Sequence, residues 1–260
     1  VAAVVVVAIL LDKNPMTLFA GLGATSAVLM LVFKDTITGL AAGVRLTSND
    51  MLHKGDWITV KSVDANGIVE DMSLTTVKVR NFDNTIVTIS PITLVNGSFQ
   101  NWIGMQKSGG RRVKRVVYFD FRSVRLVDET LKRNLLAKHF ATEDSFKLKE
   151  SLQKAIDKDI QEGKDIEDLK NPAALAPTNL QLYRKFMEKY LRQRPEVNTD
   201  LTLMVRHMEA TQCGLPIEFY FFIKDKVWVN YEHILADIME HAYALANEFG
   251  LKIYEQYPEQ

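Results

Sequence analysis

No residue from Pro15 to Phe33 carries a charge, and nothing else in the chain narrows its possible folds so far. A helix of about 20 apolar residues matches the ~30 Å hydrocarbon core of a bilayer. A second uncharged run, "VAAVVVVAILL", precedes it across the polar turn "DKNP". It starts without a Met or a basic leading region and does not read as a signal peptide. As a helix it covers only ~16 Å, so residues 1–12 read as the end of a transmembrane helix or as a buried strand. Pro15 suits a helix start, where its missing N–H costs nothing. The two runs together read as a membrane hairpin, and a buried hairpin of a soluble protein is the other reading of the same pattern.

The span has two textures. Ala20, Gly21, Gly23, Ala24, Ser26 and Ala27 crowd its first half, and Leu29, Met30, Leu31, Val32 and Phe33 its second. Small residues let membrane helices approach closely, and Thr25 and Ser26 favour a neighbouring helix or water over lipid. A tightly packing helix ending in a bulky apolar collar suits a pore lining, and also an ordinary buried helix. Lys34 ends the run as a charge does at a membrane surface. Asp35 is a competent N-cap, so the helix is expected to break there and restart at Thr36. Ile37, Leu40, Ala41 and Val44 fall on one face of the restarted helix, with Thr38, Arg45 and Thr47 opposite. The expected organisation is a membrane helix over 13–34 and an interfacial amphipathic helix over 35–50. Gly39 and Gly43 form a G-x-x-x-G face for close packing.

From Asp56 to Trp102 the pattern is β. "DWITV", "GIVEDMS", "TTVKVRN" and "TIVTIS" are short, rich in Val, Ile and Thr, and punctuated by turns. "DANG" and "FDNT" read as hairpin turns, with Asn66–Gly67 able to take φ > 0. The expected domain is a small β-barrel over 51–107, with Trp57 and Trp102 packing at its ends. Residues 108–260 alternate differently. "RRVKRVVYFDF", "DLTLMVRHME", "PIEFYFFIKD" and "LKIYEQY" read as strands, and "VRLVDETLKRNLLAKHF" and 230–249 as helices. Leu126, Leu131 and Leu135 lie on or near one face of the first helix. The order β-α-β-β-α-β is ferredoxin-like. An insertion at about 140–198 holds a charged helical stretch, a Pro/Ala linker and the amphipathic "NLQLYRKFMEKYLRQR".

Composition excludes several functions. Lys+Arg and Asp+Glu balance at 32 each, which weighs against a dedicated nucleic-acid binder. The single cysteine, Cys213, rules out an internal disulfide and a redox pair. No glycine-rich phosphate loop, nucleophile elbow or catalytic dyad is present, so no enzyme activity and no cofactor are expected. His233, Asp237 and His241 share a helix face with zinc-competent residue types, but no third His or Cys stands at motif spacing. They read as a surface or subunit-contact stripe, with no metal expected. "GGRRVKR" could touch phosphate on lipid or nucleic acid, or simply enter a strand well solvated.

"TGLAAGVRL" after a small-residue-rich helix, followed by "GDWITV", resembles the small-conductance mechanosensitive channel family. "FDNTIVTIS", "GGRRVKR", "YLRQRP", "TLMVRHMEATQCGLPIEFYFF" and "VWVNYEHILADIMEHAYALANEFGL" are similar to its bacterial miniconductance-type branch. The resemblance runs from about Pro15 to Glu255. It implies a membrane α-helical pore segment, a small Sm-like β-barrel domain and an α/β ferredoxin-like cytoplasmic domain. It further implies a homoheptamer in the bacterial inner membrane, in contact with lipids, opened by bilayer tension under osmotic down-shock to release ions and small solutes. Further transmembrane helices are then expected before the pore helix, and no nucleic-acid partner. This sequence departs from the family's pattern at three places. Asp35 stands where the family's kink glycine falls, Ala27 replaces the upper of two pore leucines, and "SPITLVNGS" replaces "IPN". Leu31 is the remaining pore leucine. The constriction is expected at Leu31 with Met30 or Ala27, or nearer Phe33 and Lys34. A non-channel membrane scaffold, whose β and α/β domains bind a ligand or RNA, is the alternative, and oligomeric state separates the two.

Overall fold

The computed structural model of the 260-residue chain describes residues 14–147 and 176–255. The run over 1–12 and the middle of the expected insertion, 148–175, lie outside the described residues. The chain divides into two compact units, Val1–Gly104 and Met105–Gln260, so the long helix and the β domain belong to the first.

Helix α1 runs from Pro15 to Ser48 as a single α-helix. Asn14 caps it, its side-chain oxygen accepting from the Met16 N–H at 2.9 Å, and Pro15 occupies the first turn as its ring geometry favours. Among the described residues α1 is the one helix long and apolar enough to cross a membrane, and its apolar window is entirely exposed. The expected break at Lys34–Asp35 does not occur. Asp35 lies inside the helix and caps nothing, while the Thr38 hydroxyl donates to the Lys34 carbonyl at 2.8 Å. The reason is energetic. Lys, Asp and Thr each cost a helix interior at most about 0.7 kcal/mol. Breaking the ladder would orphan several N–H and C=O groups at the apolar boundary, each costing more than that.

The β domain is one antiparallel sheet of β1 (Trp57–Val60), β2 (Ala65–Met72), β3 (Val77–Asn81), β4 (Ile86–Ile89) and β5 (Gln100–Asn101), in the order β4-β3-β2-β1-β5. Alternation places Ile58, Val60, Ala65, Val69, Val77 and Val79 inward, as a sheet with one wet face requires. The turn between β1 and β2 is not at Asn66–Gly67. It occupies Lys61–Asp64, where Asp64 takes φ 51°, and Asn66 and Gly67 are already paired with Thr59 and Ile58. Gly67 is needed for closeness, because a Cβ there would land on the Arg80 carbonyl of β3. "FDNT" does form a hairpin, with Asn84 at φ 67°. "SPITLVNGS" folds into the short helix α2 (Pro91–Asn96). Trp57 and Trp102 do not stand apart at two ends. Their rings stack at 4.8 Å between centroids, and the Trp102 indole N–H donates to the Thr59 hydroxyl at 3.0 Å. A one-turn helix, α3 (Ile103–Lys107), follows.

In the second unit β6 (Arg111–Phe119), β7 (Met204–His207) and β8 (Leu215–Ile223) form a sheet in the order β6-β8-β7. The expected last strand is reduced to a bridge between Ile253 and Phe119, supported by the Tyr254 N–H on the Tyr118 carbonyl at 2.8 Å. That segment lies outside β6, which completes the ferredoxin-like order. Helix α4 (Glu129–Ala137) buries Leu131 and Leu135 but leaves Leu126 exposed, outside the helix. Helix α5 (Asn179–Gln193) falls within the expected insertion, yet Leu180, Leu182, Tyr183, Met187 and Leu191 make it part of the core. Helix α6 (Trp228–Glu248) packs Tyr231, Leu235, Ile238 and Ala242 on the same core.

Candidate pore-lining helix

Two faces of α1 carry different chemistry. Ala27, Met30, Leu31, Lys34, Ile37 and Thr38 line one open groove of about 440 Å³ along the helix. Their spacing follows the 3.6-residue period. Met30 and Leu31 are 72% and 73% exposed, so none of the described residues covers the face that sequence reasoning assigned to a pore. Phe33 is also exposed but stands off this groove, about half a turn around the helix from Leu31 by the 100° step. The Thr25 hydroxyl donates to the Gly21 carbonyl at 2.9 Å. It thereby satisfies itself within the helix and needs no neighbour.

The second face is the seat on the β domain. Gly39, Ala42, Gly43 and Leu46 are buried, at spacings of three and four. Leu46, with Leu52 beyond the helix end, enters the same core as Ile58, Val69 and Val79. The apolar face expected at the membrane interface is not the one that makes this contact. Ile37, Leu40 and Val44 are 56%, 42% and 48% exposed. The small residues pack on the β domain because they let the backbone come close, which leaves the bulky stripe for lipid or another chain. Of the two glycines, only Gly43 is held. A Cβ on Gly43 would fall on the Leu74 carbonyl in the turn between β2 and β3, whereas one on Gly39 meets nothing within 4 Å. Sequence reasoning missed Ala42, Leu46 and Leu74. The signal available was the small-residue spacing itself, which marks a face for close packing without naming its partner.

Below the helix, Asp56 anchors the start of the sheet. Its Oδ2 accepts from the His53 N–H at 3.0 Å and from the Asn101 amide at 2.8 Å, and the same amide donates to the Met51 carbonyl at 3.2 Å. The carboxylate is buried, and the two neutral donors on its Oδ2 offset part of that cost and fix the exit of α1 onto β1.

The remaining candidate groups do not assemble into a site. Among the described residues no three His, Cys, Asp or Glu side chains stand close enough to hold a metal. His241 is engaged by its Nδ1 with the Asp237 carbonyl at 2.7 Å and stacks on Tyr190 at 5.8 Å. From "GGRRVKR", the Arg111 guanidinium lies over the Tyr231 ring at 4.3 Å and Lys114 reaches Glu218 at 3.6 Å, which is structural use of those charges. Cys213 is exposed and unpaired.

Comparison with known proteins agrees with this layout. Residues 35–104 match the family model described as "Mechanosensitive ion channel, beta-domain". The small-conductance mechanosensitive channel MscMJ of Methanocaldococcus jannaschii is 34% identical over 84 residues, 32% of this chain and 23% of that protein. The large-conductance channel MscMJLR of the same organism is 30% identical over 129 residues, 49% of this chain and 35% of its own. The chain therefore spans about a quarter to a third of these relatives. Among solved structures, Helicobacter pylori MscS in its closed state superposes with TM-score 0.58 at 14% identity, covering 95% of this chain and 73% of that one. Arabidopsis thaliana MSL1 gives 0.61 at 11%, with 93% and 67% covered. These likenesses carry the fold.

Proposed function

We propose that the chain belongs to the small-conductance mechanosensitive channel family, whose β-domain model matches residues 35–104, and that copies of it ring a common axis as a homoheptamer in a bacterial inner membrane. Residues 13–34 line an ion pathway there, and the β and α/β units stand in the cytoplasm. Tension from osmotic down-shock widens the ring and releases ions and small solutes. The observation that carries this reading is the uncovered face of α1, where Ala27, Met30, Leu31 and Lys34 fall in line and face away from the Gly39–Leu46 seat. On a period of 3.6 residues the two faces differ by about a third of a turn. One helix can therefore sit on its own β domain and still present Leu31 to an axis.

Within that face Leu31 is the gate. A ring of leucines around a narrow pore stays dry and blocks ions until it widens. Ala27, one turn away, is too small to add a second ring, and Phe33 points elsewhere. Lys34 adds a positive charge per subunit at the cytoplasmic mouth and biases ion selection. The test is patch recording of opening tension against an unrelated channel in the same patch. Leu31→Ser is expected to leak when closed and to open at lower tension, and Ala27→Leu to open at higher tension. A Leu31→Ser channel with the parent's threshold and no leak would place the constriction elsewhere and remove this assignment.

A further inference from the structure

A cleft in the second unit has no part in the channel reading. It lies between α5 and the loop that follows α4, with a volume of about 240 Å³. His139 shapes the loop by taking a left-handed backbone, φ 58°. That turn directs the Phe140 N–H to the Leu135 carbonyl at 2.9 Å and sets the Phe140 ring edge-on to Phe186 at 5.2 Å. Phe186 and Tyr190 are one turn apart on α5 and half-buried, so they form a firm apolar wall. Thr142 and Ser145 close the loop side with their hydroxyls 3.2 Å apart.

Charge around the cleft is one-sided. Lys185 and Lys189 stand at i and i+4 on α5, exposed at the rim, and no acidic side chain lines the cleft. Among the described residues neither lysine has an ion-pair partner. The nearby carboxylates are engaged elsewhere, Glu188 with Arg192 at 3.3 Å and Asp144 with Lys147 at 2.6 Å. Two free ammonium groups above an aromatic wall ask for a ligand with a compact dianion at one end and a flat ring at the other. The volume is below the ~300–1,000 Å³ of sites that enclose a drug-sized ligand, so the cleft holds a single ring and leaves the rest of the ligand at its open rim.

We propose that this cleft binds a mononucleotide, with its phosphate held by Lys185 and Lys189 and its base laid against Phe140, Phe186 and Tyr190. The proposal uses residues of the second unit alone and stands whether or not the first unit forms a pore. Ring stacking supplies attraction without base selectivity, as it does wherever bases meet aromatic side chains, and the lysines act as point charges on phosphate.

Calorimetric titration of the purified full chain in detergent with AMP, GMP, adenosine and inorganic phosphate tests this. AMP or GMP is expected to bind, with adenosine and phosphate each at least about tenfold weaker, because each offers only one of the two contacts. Lys185→Ala/Lys189→Ala is expected to weaken AMP by about tenfold or more while leaving adenosine unchanged. Both lysines are surface residues, and an unchanged far-ultraviolet spectrum checks that the variant folds. The proposal is overturned if neither mononucleotide binds the folded parent, if the double variant retains the parent's affinity, or if phosphate alone binds as tightly as AMP.

Discussion

Gly43→Ala and Gly39→Ala are the same chemical change one helical turn apart, and the structure predicts opposite outcomes. At Gly43 the new methyl meets the Leu74 carbonyl, backbone of the turn between β2 and β3, which cannot swing aside as a side chain does. That turn is closed by the Ser73 N–H on the Thr76 carbonyl at 2.8 Å, and its flanking residues Val69 and Val77 are in the domain core. Forcing a methyl into a packed contact costs about 1–3 kcal/mol. Alanine returns up to about 1 kcal/mol by stiffening the helix. Because the clash is with backbone, the cost lies in the upper part of that range, and the net loss is about 1–2 kcal/mol. At Gly39 the space is open, so only the propensity gain of about 1 kcal/mol remains.

Peptide-level hydrogen exchange over residues 69–80 in the detergent-solubilised protein reads this directly. A loss of 1–2 kcal/mol raises the open population by about 5- to 30-fold, so those amides exchange faster by that factor in Gly43→Ala. In Gly39→Ala they exchange at the parent's rate or slower. Equal protection in both variants would mean that α1 does not seat on the turn between β2 and β3. Faster exchange in Gly39→Ala alone would mean that the close contact belongs to Gly39 and another chain.

Three further outcomes concern the second unit. Glu218 is fully buried on the central strand, hydrogen-bonded to Arg206 Nε at 2.5 Å, and both its cationic partners are about half exposed. Chemical denaturation should therefore show Arg206→Ala costing toward the lower end of about 3–5 kcal/mol, because it strands a carboxylate, and Glu218→Gln only about 1–2 kcal/mol; the reverse order would refute the account. Asn179 is buried and donates to the Ser123 and Phe249 carbonyls at 2.9 and 3.0 Å while accepting from the Arg125 and Leu180 N–H groups. Asn179→Asp sets a carboxylate against two carbonyls, which raises its folded pKa, so its deficit in melting temperature is expected to grow from pH 4 to pH 7 and to shrink on acidification. Asp128 caps α4, and the Leu131 N–H, ahead of Arg125, holds its carboxyl below the ordinary value. A depressed carboxylate contributes above its unfolded pKa and loses that contribution as pH falls through the folded one. Exchange of the first-turn amides of α4 should accelerate below about pH 4, and Asp128→Asn should remove that dependence.

What the sequence made legible were features with strong periods. The uncharged Pro15–Phe33 run, the alternation of Val77 and Val79, and the inward Ile217, Phe219 and Phe221 each bury or expose whole rows of side chains, so an error of one residue would invert them. The failures were local competitions of about 1 kcal/mol. Asp35 is a good cap, but a cap is useful only where a helix must end, and the cost of ending one beside the membrane outweighs it. "DANG" fits a two-residue hairpin, yet Asp64 takes the left-handed position and frees Gly67 for the close approach of β3. The Ile37–Val44 stripe is the more apolar face, but apolarity says that a face leaves water and not which neighbour it meets. The role of α5 was hidden because its run of charges, Arg184, Lys185, Glu188 and Lys189, surrounds a narrow apolar stripe of Tyr183, Met187 and Leu191.

The continuity of α1 also constrains how the proposed channel opens. Leu31 and Gly43 are twelve positions apart on one helix, about 18 Å at the helical rise. A helix broken at Asp35 could move its membrane half while the half beyond stays still. An unbroken one moves Leu31 only by turning about its seat. Moving Leu31 outward by about 3 Å, roughly the diameter of a water molecule, takes a rotation of about 10° over that lever. The seat must allow this rotation, and its contacts are of the kind that do. Gly39 has free space beside it and Ala42 presents one methyl, while the Gly43–Leu74 contact, the buried Leu46 and the packing against α2 hold the lower end. In the proposed channel the small residues would therefore serve as a pivot between the Leu31 face and the β domain. There, Gly43 would take the hinge role that the resemblance implies for the position of Asp35.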